Sequence, residues 1–242
     1  MTQSPAVVAR TLDEKGVGRL GIGAGLGFAG ALCTIVLPLA FLFLVTDLHT
    51  GFFTFSASLV QVTSVLVLVG AILLLLSLLF YRRAFAALRK IDGRFTPASI
   101  LCILGSLGFL ILLIAAAVVV GNASSLIACA HGRPSHALSC LESGTPFGAV
   151  TGAIGFLLGW VGGVGIVLGL FLAGHRFRAG ALTGSAAVYA ILLVVLLVPF
   201  AGLVVALPDL SVLIVLAPLF AVIAPALALS GAGKTRTAMG LG

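Results

Sequence analysis

The sequence predicts an all-α fold, a polytopic membrane bundle of six transmembrane helices with both termini cytoplasmic. Three observations lead there. Six apolar stretches, roughly 23–45, 59–80, 97–121, 146–173, 181–206 and 210–229, contain no Asp, Glu, Lys, Arg or His, and each is close to the ~20 residues a helix needs to cross the hydrocarbon core. Only 8% of residues are charged and 61% are hydrophobic, against about 25% charged in a soluble domain. Every Lys and Arg except Arg133 falls on one side of the membrane if the amino terminus is inside, which is the bias that sets orientation in membrane proteins.

In chain order, residues 1–22 form a cytoplasmic segment carrying Arg10, Lys15 and Arg19. The first span is too long to read as a removable signal peptide. The second ends at Phe80 and is followed by Tyr81–Ile91, an amphipathic segment. At 100° per residue Arg82, Arg83, Arg89 and Lys90 share one arc, and Tyr81, Ala84, Leu88 and Ile91 the other. Such a helix is expected along the inner headgroups, its basic arc on anionic lipid. Thr96-Pro97 and Thr145-Pro146 place a hydroxyl N-cap before a proline at the first helical position of the third and fourth spans. Asp209 caps the sixth. Residues 230–242 are rich in Gly and Ala and are expected as a flexible cytoplasmic tail.

Glycine is the most patterned residue. In the fourth span Gly152, Gly155, Gly159, Gly162 and Gly169 recur every three or four residues, with Ile166 in the remaining place. Gly23, Gly27 and Gly30 begin a shorter stripe in the first. Small-residue stripes let helix backbones approach closely in lipid, so the fourth helix is expected to be central, with Leu158 pointing off the stripe. A smooth face lining a solute path is the other reading of these glycines.

Cys129 and Cys140 lie in one outside loop, where oxidation is permitted, and are expected to form a disulfide. The same loop holds His131 and His136, but the spacing matches no common zinc pattern. Cys33 and Cys102 fall within spans as small apolar residues. Residues 228–235 fit a relaxed phosphate-loop pattern ending in Lys234-Thr235, yet a membrane span precedes it where the working motif needs a strand. Asn122-Ala123-Ser124 is a glycosylation pattern at the edge of the third span. No pair of histidines faces across the spans to hold a haem. No cofactor, metal, nucleotide or nucleic-acid partner is expected, and neither is catalysis, since the spans hold no acid–base pair.

Two inner links carry Arg beside Phe, as Arg83-Ala-Phe85 and as Arg176-Phe177-Arg178, a pattern of parallel hairpin repeats. The stretches Tyr81-Arg82-Arg83-Ala-Phe85 and Phe95-Thr-Pro-Ala-Ser99, with the Gly-rich fourth span leading to His175-Arg-Phe177, resemble an uncharacterised archaeal family of multi-spanning membrane proteins grouped as a domain of unknown function. The resemblance implies a six-helix fold and no activity.

Two functions are expected from these parts. The first is a non-enzymatic membrane subunit or scaffold in the cell membrane, packing in the lipid bilayer against other subunits or further copies of itself. The alternative is a small transporter or channel for a neutral or apolar solute, with Gln61, Thr63, Ser64, Thr183, Ser185 and Tyr189 as an uncharged polar path and Pro199, Pro218 and Pro225 freeing backbone carbonyls.

Overall fold

The computed structural model describes residues 5–34, 57–121, 146–205 and 210–240. They form six helices: α1 (Pro5–Thr34), α2 (Ala57–Arg89), α3 (Thr96–Gly121), α4 (Pro146–Phe177), α5 (Gly180–Val205) and α6 (Leu210–Ala238), with a 3₁₀ turn at Gly93–Phe95. All six are long and apolar enough to cross a membrane. The chain is a multi-pass membrane bundle, and no strand occurs among the described residues.

Each helix packs against its sequence neighbour where a short turn or a described face brings them together, and α6 returns to α1. The result is a closed ring. At the end carrying the basic residues the ring is filled. Tyr81 and Phe85 stack with ring centroids 6.0 Å apart, and Phe85 and Phe95 at 6.3 Å. Val17, Leu20, Leu88, Cys102, Leu170 and Leu182 complete this buried core around them.

The helices extend beyond the apolar stretches at this end, which corrects three expectations. Residues from Pro5 onward belong to α1, and Val17 and Leu20 are buried, so the expected amino-terminal segment is part of the bundle. The expected flexible tail is helical to Ala238. Ala232 and Thr235 are buried, Thr235 Oγ1 donates to the Gly231 carbonyl at 2.8 Å, and the Arg10 guanidinium donates to the Met239 carbonyl at 3.2 Å. Composition misled here because Gly and Ala, read as flexible, are also what close helix contact requires. Finally, the Tyr81–Ile91 segment is no separate surface helix. It continues α2 without a break to Arg89, and Tyr81, Ala84 and Leu88 are buried against protein instead of lipid. Arg82, Arg83, Arg89 and Lys90 are exposed on the opposite arc.

The turns also differ in detail. Thr96 is already helical, with φ −58° and ψ −50°, so it is not the extended N-cap expected of it. Asp92 does that work one turn earlier, its carboxylate accepting from the Arg94 amide at 3.0 Å. α4 ends where Arg178 takes a left-handed φ of 51° and the Ala179 amide reaches back to the Gly174 carbonyl at 2.9 Å. That five-residue reach is the pattern of a Schellman stop. The expected caps Thr145 and Asp209, like Cys129, Cys140, His131, His136 and Asn122, lie outside the described residues.

One ion pair ties the two halves of the ring. Arg176 Nε and Nη2 donate to the two Asp13 carboxylate oxygens, both at 3.1 Å, with the side chains about a quarter exposed or less (26% and 20%). A two-pronged charge-assisted contact of this kind is stronger than a loose surface pair. Asp13→Ala is expected to lower stability by about 1 kcal/mol, measured as thermal unfolding in detergent. Glu14→Ala, which removes only the pair with the exposed Arg10, should leave it near the parent value. Equal melting of the two variants would rule out the tie.

Candidate functional site: a central cavity

The filled core stops about midway along the ring. Beyond it the helices line a half-open cavity of about 510 Å³ that takes lining residues from all six. Ala31 comes from α1, Leu74 from α2, Leu112 from α3, Phe156 from α4, Leu196 from α5 and Ala221 from α6. Among the described residues no Asp, Glu, Lys, Arg or His lines it. Its polar side chains are Thr34, Ser77, Trp160 and Tyr189. Ser77 Oγ donates to the Gly23 carbonyl at 2.7 Å, Thr34 Oγ1 to the Ala31 carbonyl at 3.0 Å, and Trp160 Nε1 to the Leu193 carbonyl at 3.0 Å.

At the inner end of the cavity a small hydroxyl cluster meets the aromatic core. A Cβ on Gly27 would lie 2.9 Å from Ser77 Oγ and 3.6 Å from the Tyr189 hydroxyl, so both crowd that glycine. Behind Tyr189 is Tyr81, whose hydroxyl is completely buried. Among the described residues it is the one buried side-chain polar atom without a hydrogen bond. The Tyr189 hydroxyl is its polar neighbour but stays outside hydrogen-bond geometry.

The glycines of α4 differ in what stands opposite them. A Cβ on Gly155 would fall 3.0 Å from the Gly108 carbonyl oxygen and 3.0 Å from the Leu112 amide nitrogen, both on the α3 backbone. One on Gly162 would collide with the Gly105 Cα, and one on Gly169 with the Phe85 ring. Gly159 is different. It lines the cavity, and a Cβ there would meet the Phe109 ring at 3.5 Å and Leu112 at 3.8 Å, ordinary contact distances. Gly152 has nothing within 4 Å. The line facing α3 therefore runs through Gly155, Leu158, Gly162 and Gly165, with the Gly159 backbone beside it against Gly108. Leu158 Cβ lies 2.6 Å from where a Cβ on Gly108 would stand, and Leu101 Cβ lies 2.8 Å from where one on Gly165 would. The expectation that Leu158 points elsewhere is corrected.

Of the expected uncharged path, three residues are described, and among them only Tyr189 lines the cavity. Ser185 Oγ is buried and donates to the Ala224 carbonyl at 2.7 Å. Thr183 packs at Gly174 near the basic end. The side chains of Gln61, Thr63 and Ser64 lie outside the described residues. α6 continues through both Pro218 and Pro225. A proline offers no amide to the carbonyl four residues before it, so Ala221, on the cavity wall, lacks its helical donor from Pro225. Trp160, Gly105 and Gly108 are site and contact residues that the sequence reading missed. The Gly105–Gly108 spacing was the available signal, and only the facing helix gives it meaning. Lys234-Thr235 lies within α6, where Thr235 bonds its own helix, not at a phosphate loop.

A second hollow of about 430 Å³ lies at the basic end between the α4–α5 turn and α6. Its cations, Arg178 and Lys234, are both exposed. Among the described residues no group of His, Cys, Asp and Glu is placed to hold a metal. No family model, curated protein or solved structure matches this chain, and the functional reading stands on the geometry of the cavity.

Proposed function

We propose that this protein binds a neutral, largely apolar molecule in its central cavity and serves as a small carrier for it. The observation that carries the proposal is one cavity reached by all six helices, apolar and without charge. Pockets for small molecules have this character, apolar walls with a few placed polar groups. The filled aromatic core at the basic end argues for a binder or alternating carrier over an open channel, since no continuous bore passes Tyr81, Phe85 and Phe95. The scaffold reading rests on missing parts alone, and we rank it second.

The chain contains a single tryptophan, and it lies on the cavity wall. Trp160 therefore reports occupancy. N-phenyl-1-naphthylamine, an apolar dye whose absorption overlaps tryptophan emission, is expected to bind the purified protein saturably and to quench Trp160 by energy transfer. Trp160→Phe should abolish the transfer while the dye's own binding signal persists. Dye uptake that never saturates and only follows detergent concentration would refute the proposal.

We also propose that the protein resides in the cell membrane with the basic end in the cytoplasm and the Cys129–Cys140 loop outside as a disulfide. The support is the clustering of Lys and Arg at one end of the ring. A membrane-impermeant maleimide added to intact cells should label Cys129 and Cys140 only after reduction. Labelling before reduction would exclude the disulfide, and failure to label after it would exclude the orientation.

A further inference from the structure

We propose that the cavity's ligand carries an oxygen acceptor on an apolar body, and that Tyr189 donates to it with Tyr81 holding Tyr189 from behind. This rests on the carrier reading and narrows its substrate class to neutral molecules with a carbonyl, ether or hydroxyl oxygen.

The inference comes from counting protons. Three of the four polar side chains on the wall have spent theirs on backbone carbonyls: Thr34 on Ala31, Ser77 on Gly23 and Trp160 on Leu193. Tyr189 donates to no group of the described chain. Tyr81 is enclosed by the core and stacked on Phe85, its hydroxyl makes no hydrogen bond, and the Tyr189 hydroxyl is its polar neighbour. The two phenols hold two protons, and neither is spent on another group of the described chain. A small shift that brought the Tyr81 proton onto the Tyr189 oxygen would still leave the Tyr189 proton free for a ligand in the cavity. The Ala221 carbonyl on the wall, which lacks its helical donor, takes no hydrogen bond from Tyr189. A buried donor without an acceptor is unfavourable, so a ligand oxygen placed there gains what the wall cannot supply. A charged ligand would find no counter-charge among the described residues, since no Asp, Glu, Lys, Arg or His of theirs lines the cavity.

Displacement of N-phenyl-1-naphthylamine by tetradecane and by 2-tetradecanone separates these ideas. The two probes differ in one oxygen, and comparing variant with parent cancels their partition into detergent. In Tyr189→Phe, the ketone's affinity should fall about fivefold, the equivalent of one neutral hydrogen bond, and the alkane's should not change. In Tyr81→Phe the ketone should lose about twofold with the alkane again unchanged. General loosening of the site would weaken both probes together, so this selective loss marks Tyr81 as a positioning residue. If the ketone keeps its full advantage in Tyr189→Phe, or if ketone and alkane bind the parent alike because water satisfies the hydroxyl, the oxygen-acceptor inference is overturned and the cavity reading survives. If neither probe displaces the dye, the carrier reading falls, and this inference with it. Should Tyr189→Phe not fold, Tyr81→Phe and its selective loss decide the matter alone.

Discussion

Gly162→Leu is expected to destabilise the bundle by about 3 kcal/mol, at the upper end of the usual cost of overpacking. At about 2–4 °C per kcal/mol for a chain of this size, the melting temperature in mild detergent should fall by roughly 6–12 °C. The physical reason is what stands opposite. A side chain on Gly162 meets the Gly105 Cα, and backbone cannot rotate away as a leucine side chain can. Relief requires moving α3 away from α4 along their shared length, at the cost of dispersion contacts that hold helices together where lipid provides no hydrophobic drive. Gly105→Leu, the reciprocal change, should cost a similar amount. Gly152→Leu meets no described atom within 4 Å of its Cβ and should melt within about 0.5 kcal/mol of the parent, as changes away from close contacts do. If Gly162→Leu melts with Gly152→Leu, the α3–α4 approach is not as close as described and the packing role of the stripe is lost.

How far the sequence could go is visible along α4. Absence of charge over long stretches is enough to give six helices, because nothing else satisfies backbone polar groups in lipid. A glycine period is enough to nominate α4 for close contact. It cannot say which glycines face a neighbour and which face a void, because that depends on rotation of the helix about its axis. A shift of one position moves the contact line from Gly159 and Ile166 to Leu158 and Gly165, and only α3, with Gly105 and Gly108, fixes the rotation. The same limit applied to Tyr81. Its segment is amphipathic, and an apolar arc is equally suited to lipid and to a protein core. The structure chooses the core because Phe95 and Gly169 bring aromatic ring and empty space to meet Phe85. The hydroxyl cluster was least legible, since Tyr189 is far in sequence from Ser77 and Tyr81, which lie one turn apart on α2, and joins them only when the ring closes.

Gly159 carries the sharpest consequence of that division. Gly159→Leu is expected to leave the fold close to intact and to weaken dye binding by at least about tenfold, or about 1.4 kcal/mol. The first carbon of the new side chain lies at ordinary distances from Phe109 and Leu112, and the rest extends into space the ligand would occupy. Stability should change by less than about 1 kcal/mol, since filling an apolar void restores dispersion contacts while it adds some strain. Trp160 is the adjacent residue on the same wall, and its emission should lose sensitivity to the dye together with the affinity. The contrast with Gly162→Leu is what discriminates between functions. Two glycines three residues apart, given the same substitution, should separate stability from binding. If both variants unfold alike, the cavity is a packing defect between helices, and the scaffold becomes the better account. If Gly159→Leu folds and still binds the dye with parent affinity, the dye lies elsewhere and the cavity is no working site. Loss of binding with a retained fold is the one result that the carrier reading requires and the scaffold reading does not provide.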